Sequence, residues 1–177
     1  MEQKAVRTLL EQVAKGKTSI DEALLQLKKA PFEDIGFAKL DYHRGLRQGV
    51  AEVIYGAGKT TEQIIKIIEN MQEHGQSTIL LTRVKPEVAA VISKQVKMAY
   101  NELGHIAIIG KKPKPSGLGK ILIATGGTSD MPIAEEAAVT AEALGNEVVR
   151  LYDVGDAGLE RTLSNLEVIM SASLLTV

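Results

Sequence analysis

The run from 120 to 145 constrains this chain more than any other part of it. Residues 120–125, Lys-Ile-Leu-Ile-Ala-Thr, form a short apolar stretch of strand character. Gly126-Gly127-Thr128-Ser129-Asp130 then breaks it, and apolar residues return at helical spacing until Gly145, a natural helix stop. A strand, a glycine-rich bend and a helix in succession make up half of a βαβ unit. The pattern repeats: residues 147–152 read as a second strand, 153–158 as a turn, 159–166 as a helix and 174–177 as a third strand. Such alternation specifies a parallel sheet. For the 131–144 helix the spacing predicts a buried stripe of Ile133, Ala137, Thr140, Ala141 and Leu144, with Ala134, Ala137, Ala138 and Ala141 small enough for close approach to a sheet.

The preceding residues form further units. Val6, Leu9, Leu10 and Val13 predict a helix over 2–15. Ser19 with Glu22 is a capping box opening a second helix, whose face is Ile20, Ala23, Leu24 and Leu27 and whose end is Pro31. Residues 50–55 read as a strand. Thr60 with Gln63 caps a helix that turns Ile64, Ile65, Ile67, Ile68 and Met71 inward. A strand at 78–82, a helix at 86–97 and one or two short strands around Tyr100 and 105–109 continue the alternation, again in the manner of a parallel sheet. Residues 111–119, Lys-Lys-Pro-Lys-Pro-Ser-Gly-Leu-Gly, cannot continue a helix or a central strand and read as a linker. The expected organisation is a helical hairpin at 1–30, an α/β domain at 31–112, a linker at 113–119 and a partial α/β domain at 120–177. An apolar last strand with no polar tail leads us to expect the N-terminal piece of a longer protein. The reading frame beyond codon 177 tests that expectation.

Composition narrows the function. Of the 177 residues 45% are apolar, enough for a core, and 21 basic against 22 acidic residues leave a net charge of −1. A dedicated nucleic-acid or membrane-surface binder would show a basic excess. Aromatic content is 3% with no Trp, so stacking platforms for single strands are scarce. The absence of cysteine excludes disulfides, thiolate metal sites and a thiol nucleophile within this chain, and fits a reducing, cytoplasmic setting. The N-terminus has no apolar signal region, and no apolar run reaches the roughly 20 residues needed to span a bilayer.

In an open parallel sheet ligands bind beyond the carboxyl ends of the strands. Gly126 and Gly127 let backbone approach a ligand, Thr128 and Ser129 offer hydroxyls, and the free amides of the following helix attract a phosphate or carboxylate. Asp130 is suited to capping that helix, orienting a sugar hydroxyl or exchanging a proton. Asp153 closes the neighbouring strand, so its carboxylate is expected beside the same bend, where two carboxylates can divide into a charged and a protonated partner. Arg161 lies within reach of an anion. The plain alternatives are an ordinary helix cap for Ser129 or Asp130, a solvated turn for Asp153 and a solvated face for Arg161. Gly56-Ala57-Gly58-Lys59-Thr60 is not a P-loop, because the glycine required five positions before Gly58 is Val53. Lys59 remains a point charge for a phosphate. His43, Arg44 and Arg47 form an anion-binding candidate or a solvated basic face. His43, His74 and His105 show no metal-ligand spacing.

Two motifs together carry a family likeness. One is 125–138, Thr-Gly-Gly-Thr-Ser-Asp-Met-Pro-Ile-Ala-Glu-Glu-Ala-Ala, with Tyr152-Asp153-Val154-Gly155 and Ala157-Gly158-Leu159. The other is Asp41-Tyr42-His43-Arg44-Gly45-Leu46-Arg47-Gln48-Gly49 with residues 52–60. In these the chain resembles the pyridinium-biscarboxylic acid mononucleotide synthase family over nearly its whole length. The resemblance implies a C-terminal domain like the catalytic subunit of aminoimidazole ribonucleotide carboxylase, with a flavodoxin-like parallel three-layer fold and a homo-octameric assembly. It implies a reaction in which nicotinic acid adenine dinucleotide is carboxylated on its pyridinium ring by CO2 and its phosphoanhydride is hydrolysed to release AMP. That is the first step of nickel-pincer nucleotide cofactor synthesis. It implies no tightly bound cofactor and leaves magnesium assistance open. Gly126, Gly127, Thr128, Ser129 and Asp130 would hold phosphate or ribose and line the ring, Asp153 would be an acid/base or electrostatic group, and Arg44, Arg47, Lys59 and Arg161 would engage the substrate.

The sequence departs from the family in three places. The family's ring-attacking cysteine has no counterpart here, Asp156 stands where the family usually has Val, and Glu160 stands where it usually has His. Without the thiol this chain is expected to be inactive in covalent chemistry. Two other readings stay open: a carboxylase or mutase acting on aminoimidazole ribonucleotide, and a non-catalytic nucleotide-binding module.

Overall fold

The computed structural model describes residues 3–28, 32–41, 53–155 and 159–177. His43, Arg44, Arg47 and Asp156 lie outside the described residues, as do the first three positions of the strand expected from 50.

Helices α1 (Gln3–Ala14) and α2 (Ile20–Lys28) pack on each other as a hairpin. Leu9 and Ala23 are buried, whereas Leu10, Ile20 and Leu24 face outward. The capping box at α2 forms as the sequence requires, with the Glu22 amide donating to Ser19 Oγ at 3.1 Å and the Ser19 amide to Glu22 Oε2 at 2.9 Å. Strands β1 (Phe32–Asp34) and β2 (Lys39–Asp41) make a small antiparallel ribbon.

The second sheet holds β3 (Val53–Tyr55), β4 (Thr78–Thr82), β5 (Met98–Asn101) and β6 (Ile106–Gly110) in the order β3-β4-β6-β5. Only β3 and β4 are parallel; β4–β6 and β6–β5 are antiparallel. The all-parallel expectation therefore fails here. The segment after β4 has one short helix, and β5 and β6 are joined by the brief turn at 102–105, which only an antiparallel pair can use. That helix, α4 (Pro86–Ile92), is shorter than the expected 86–97. Its exit tightens, with the Lys94 and Gln95 amides donating to Val91 and Ile92 three residues back. Between β3 and β4 runs α3 (Thr61–Glu73), opened by the Thr60–Gln63 capping box and burying all five expected residues. Those residues meet Ile79, Leu81, Ala89, Ile92, Ala107 and Ile109 in the main core.

The third sheet is wholly parallel, β7 (Lys120–Ala124) lying between β8 (Glu147–Leu151) and β9 (Leu174–Thr176). The helix expected at 159–166 divides into α6 (Leu159–Leu163) and α7 (Leu166–Ser171). The fold is thus mixed α/β with a flavodoxin-like parallel sheet in its C-terminal part.

Helix α5 (Met131–Ala143) is shared between two sheets. Ala134 and Ala138 pack on Ile123 of β7, while Val139 and Ala143 pack on Leu80, Ile106 and Ile108 of the second sheet. This displaces the expected stripe. Ile133 and Leu144 are 58% and 46% exposed, and the buried positions are Ala134, Glu135, Ala138, Val139 and Ala143. A helix flanked on two sides needs small side chains on both, and its alanines supply them. Residues 111–119 carry no helix or strand but are tied to this helix. Lys112 pairs with Glu142 at 2.7 Å and the Ser116 amide donates to Gly145 O at 2.9 Å.

Candidate active site

Strands β7 and β8 end side by side, Ala124 opposite Leu151. Their pairing runs on into the loops. The Thr125 amide donates to Leu151 O (3.1 Å), the Asp153 amide to Thr125 Oγ1 (3.1 Å), the Val154 amide to Thr125 O (2.9 Å) and the Gly155 amide to Gly126 O (3.0 Å). Thr125 is buried and joins the two loops. The register depends on Asp153 adopting a left-handed backbone, φ 59°, which non-glycine residues enter rarely and aspartate more readily than most. Gly155 is required by contact: a Cβ there would lie 2.5 Å from Gly126 O. Gly126 has more room, with only Gly155 Cα at 3.8 Å from its own ideal Cβ.

Beyond Gly126 and Gly127 the chain makes a 3-10 turn, Thr128–Asp130, and enters α5 with Pro132 in its first turn. The Asp130 carboxylate does not cap α5. It reaches back, accepting from the Gly127 amide at 3.2 Å and the Ser129 hydroxyl at 3.4 Å. The side chain expected to cap the helix is thus spent on closing the bend, because Asp130 itself has right-handed helical backbone, φ −89° and ψ −14°, not the extended backbone of a side-chain cap. Asp153 takes its partner from the following helix: Arg161 Nη1 donates to Asp153 Oδ2 at 2.8 Å, both side chains half exposed. Thr162 Oγ1 donates to Val154 O at 2.7 Å, pinning α6 to the same loop. Glu160 is exposed.

Lys59 turns back onto its own strand. Its ammonium donates to Tyr55 O at 2.9 Å, closing its own turn at the end of β3. Among the described residues no cluster of three or more His, Asp or Glu side chains is placed to hold a metal ion. No helix of the described residues is long and apolar enough to cross a membrane.

Directly behind the loops lies a polar network that sequence reasoning missed. Glu135, 6% exposed, accepts from Arg150 Nε (2.7 Å) and the Tyr152 hydroxyl (2.8 Å) on Oε1, and from Asn101 Nδ2 (3.0 Å) and Arg150 Nη2 (3.3 Å) on Oε2. Arg150 Nη1 and Lys112 Nζ each reach Glu142 at 2.7 Å. Burial, then the bond to Glu135, pushes the Tyr152 phenol up to about 12. Burial alone would raise the Glu142 carboxyl, but its bonds to Arg150 and Lys112 hold it below the ordinary range. The signal in the sequence was Glu135-Glu136 on a helix otherwise rich in alanine, four residues into its run. Glu136 pairs with Arg83, beyond β4, at 2.6 Å.

Residues 32–111 match the LarB/PurE-like N-terminal domain. An uncharacterized protein of Methanocaldococcus jannaschii is 35% identical over 171 residues, an alignment that takes in 93% of this chain and 67% of that protein. With a matching N-terminal domain followed by a parallel α/β unit whose strand-end loops interlock, and a relative similar across both, the chain belongs to the LarB/PurE-like family.

Proposed function

We propose that the protein acts on nicotinic acid adenine dinucleotide, joining CO2 to its pyridinium ring and hydrolysing its phosphoanhydride with release of AMP, as the first step of nickel-pincer nucleotide cofactor synthesis. Family membership supports the coarser statement that this is a carboxylase- or mutase-like family member. The observation that carries the finer reading is the interlocked pair of loops at 125–130 and 153–155. They place glycine backbone, two hydroxyls and two carboxylates at adjoining parallel strand ends, where the α/β architecture binds ligands.

In the carboxylation, a bond forms between a ring carbon and the carbon of CO2, and the proton of that ring carbon is lost. Asp153 is the residue we assign to receive it, with Arg161 balancing its charge. Asp130 holds the Gly127 amide and shapes the bend that cradles ribose or phosphate together with Gly126, Thr128 and Ser129. In the hydrolysis, water adds to phosphorus and the bridging P–O bond breaks to release AMP. Arg44, Arg47 and Lys59 are assigned to the anionic end of the substrate. The ring-activating thiol that the family resemblance implies is not among these 177 residues, but hydrolysis of the phosphoanhydride requires no thiol, so AMP release is the activity expected of these residues by themselves and ring carboxylation needs a thiol supplied from outside them.

The test is calorimetric titration of the chain with nicotinic acid adenine dinucleotide, then incubation with 13C-bicarbonate. AMP is followed by chromatography and ring-bound 13C by mass spectrometry. Binding with AMP release is the expected result. Turnover of aminoimidazole ribonucleotide instead, or failure to bind the dinucleotide, would overturn the assignment. Binding with no release of AMP identifies a nucleotide-binding module.

A further inference from the structure

We infer that Glu135 is a positioning residue through which the N-terminal domain braces the Asp153 loop, by way of Asn101 on one side and Tyr152 on the other. The inference rests on the reading of 125–155 as the reaction centre.

The carboxylate sits on α5, the helix shared by the two sheets, and contacts both. Asn101, at the end of β5, donates Nδ2 to Glu135 at 3.0 Å while its Oδ1 accepts from the Gly104 amide at 2.8 Å. The turn carrying Gly104 is pressed onto the helix: a Cβ there would lie 2.9 Å from the Glu136 amide nitrogen and 3.0 Å from the Glu135 carbonyl carbon. Arg83 holds Glu136 from the same sheet. On the opposite side Glu135 takes the Tyr152 hydroxyl and two nitrogens of Arg150.

Tyr152 directly precedes Asp153. The left-handed turn at Asp153 is therefore held from two directions, by the Tyr152 hydroxyl anchored on Glu135 and by the Asp153 amide on Thr125 Oγ1. Replacing a buried ion pair by well-packed apolar side chains of similar volume is often neutral or stabilising, so such a network is weak evidence of a role in stability alone. Four donors converging on one carboxylate instead fix the phenol in a single place, and directional bonds of that kind hold geometry that apolar packing leaves loose. The loop next to the phenol also holds the bend assigned to ribose or phosphate, through the Gly155 amide on Gly126 O at 3.0 Å, and an error of about 1 Å there costs rate.

Two single substitutions in the full chain test this. Tyr152→Phe removes one hydroxyl. Asn101→Asp keeps the bond to Gly104 and replaces the donor facing Glu135 with a second carboxylate. Native-state hydrogen exchange is read at the amides of Asp153, Val154 and Gly155, alongside kcat and KM for AMP release. In Tyr152→Phe and Asn101→Asp those three amides are expected to exchange about ten- to a hundredfold faster, the loosening that follows loss of one hydrogen bond to a charged group. Thermal stability falls in both variants, as it would for any lost hydrogen bond, so the discriminating readouts are loosening confined to 153–155 and a kcat that falls with little change in KM. Unchanged exchange at 153–155 in both variants overturns the inference, as does loosening spread evenly along the chain. Exchange needs no turnover. A loosened loop in a protein whose wild type releases no AMP upholds the brace and refutes the reaction assigned to it.

Discussion

Gly155 donates its amide to Gly126 O at 3.0 Å, and a single Cβ on Gly155 would come within 2.5 Å of that same oxygen. The loops after β7 and β8 are so close that one position tolerates no side chain and its partner does. Gly155→Ala is expected to force the loops apart, destabilising the protein by about 1–3 kcal/mol, the usual cost of overpacking. AMP release should fall at least as steeply as in any variant of the bend. Gly126→Ala meets only an ordinary contact and should fold with near-normal stability. Thermal unfolding of the pair separates the two, and equal stability of both variants would contradict the contact.

Asp153 and Arg161 test the chemistry. Asp153→Asn keeps size and the option of a bond to Arg161 through its oxygen, but removes the proton acceptor. Any ring carboxylation that the wild type shows is expected to drop by about a hundredfold or more, in the range of lost general-base catalysis, with dinucleotide binding retained. Arg161→Ala should weaken binding and reduce rate together, since it removes a charge from beside the substrate. An Asp153→Asn protein with full carboxylation rate would remove Asp153 from the mechanism.

The network behind the site responds to pH at both ends of the range. Glu142 has its folded pKa depressed by Arg150 and Lys112, against the opposing effect of burial. Such a group contributes stability above its unfolded value of 4.5, and that contribution is lost as pH falls through the folded value. Arg150→Met should flatten the acid limb of a stability-versus-pH curve. Tyr152 behaves oppositely: raised from 10.0 to about 12 by burial and then by Glu135, its neutral form is favoured in the fold. Stability should therefore decline as pH rises from 10 towards 12. Ultraviolet titration of wild type against Tyr152→Phe reads the phenol directly, and a missing component titrating near 10 would contradict the bond to Glu135.

Thr60 opens α3 through a reciprocal cap, the Gln63 amide donating to Thr60 Oγ1 at 3.3 Å and the Thr60 amide to Gln63 Oε1 at 3.0 Å. Thr60→Ala should cost about 1 kcal/mol with dinucleotide binding unchanged, measured by denaturant unfolding and calorimetry. A loss of binding without loss of stability would instead assign Thr60 to the ligand.

Local rules carried much of the architecture. The caps at Ser19 and Thr60, the inward face of α3, the strand at 78–82 and the strand, bend and helix around Gly126 all follow from turn chemistry and periodicity over a few residues, and each forms as the sequence dictates. Tertiary contact decided the rest. The antiparallel pairing of β5 and β6, the rotation of α5 that exposes Ile133 and buries Glu135, the closure of Gly155 on Gly126 and the capture of Asp153 by Arg161 each join residues from separate elements. Periodicity along one helix reports how many faces are small or apolar, but not which neighbour each face meets. For α5, wedged between two sheets, that choice rests with packing on both sides.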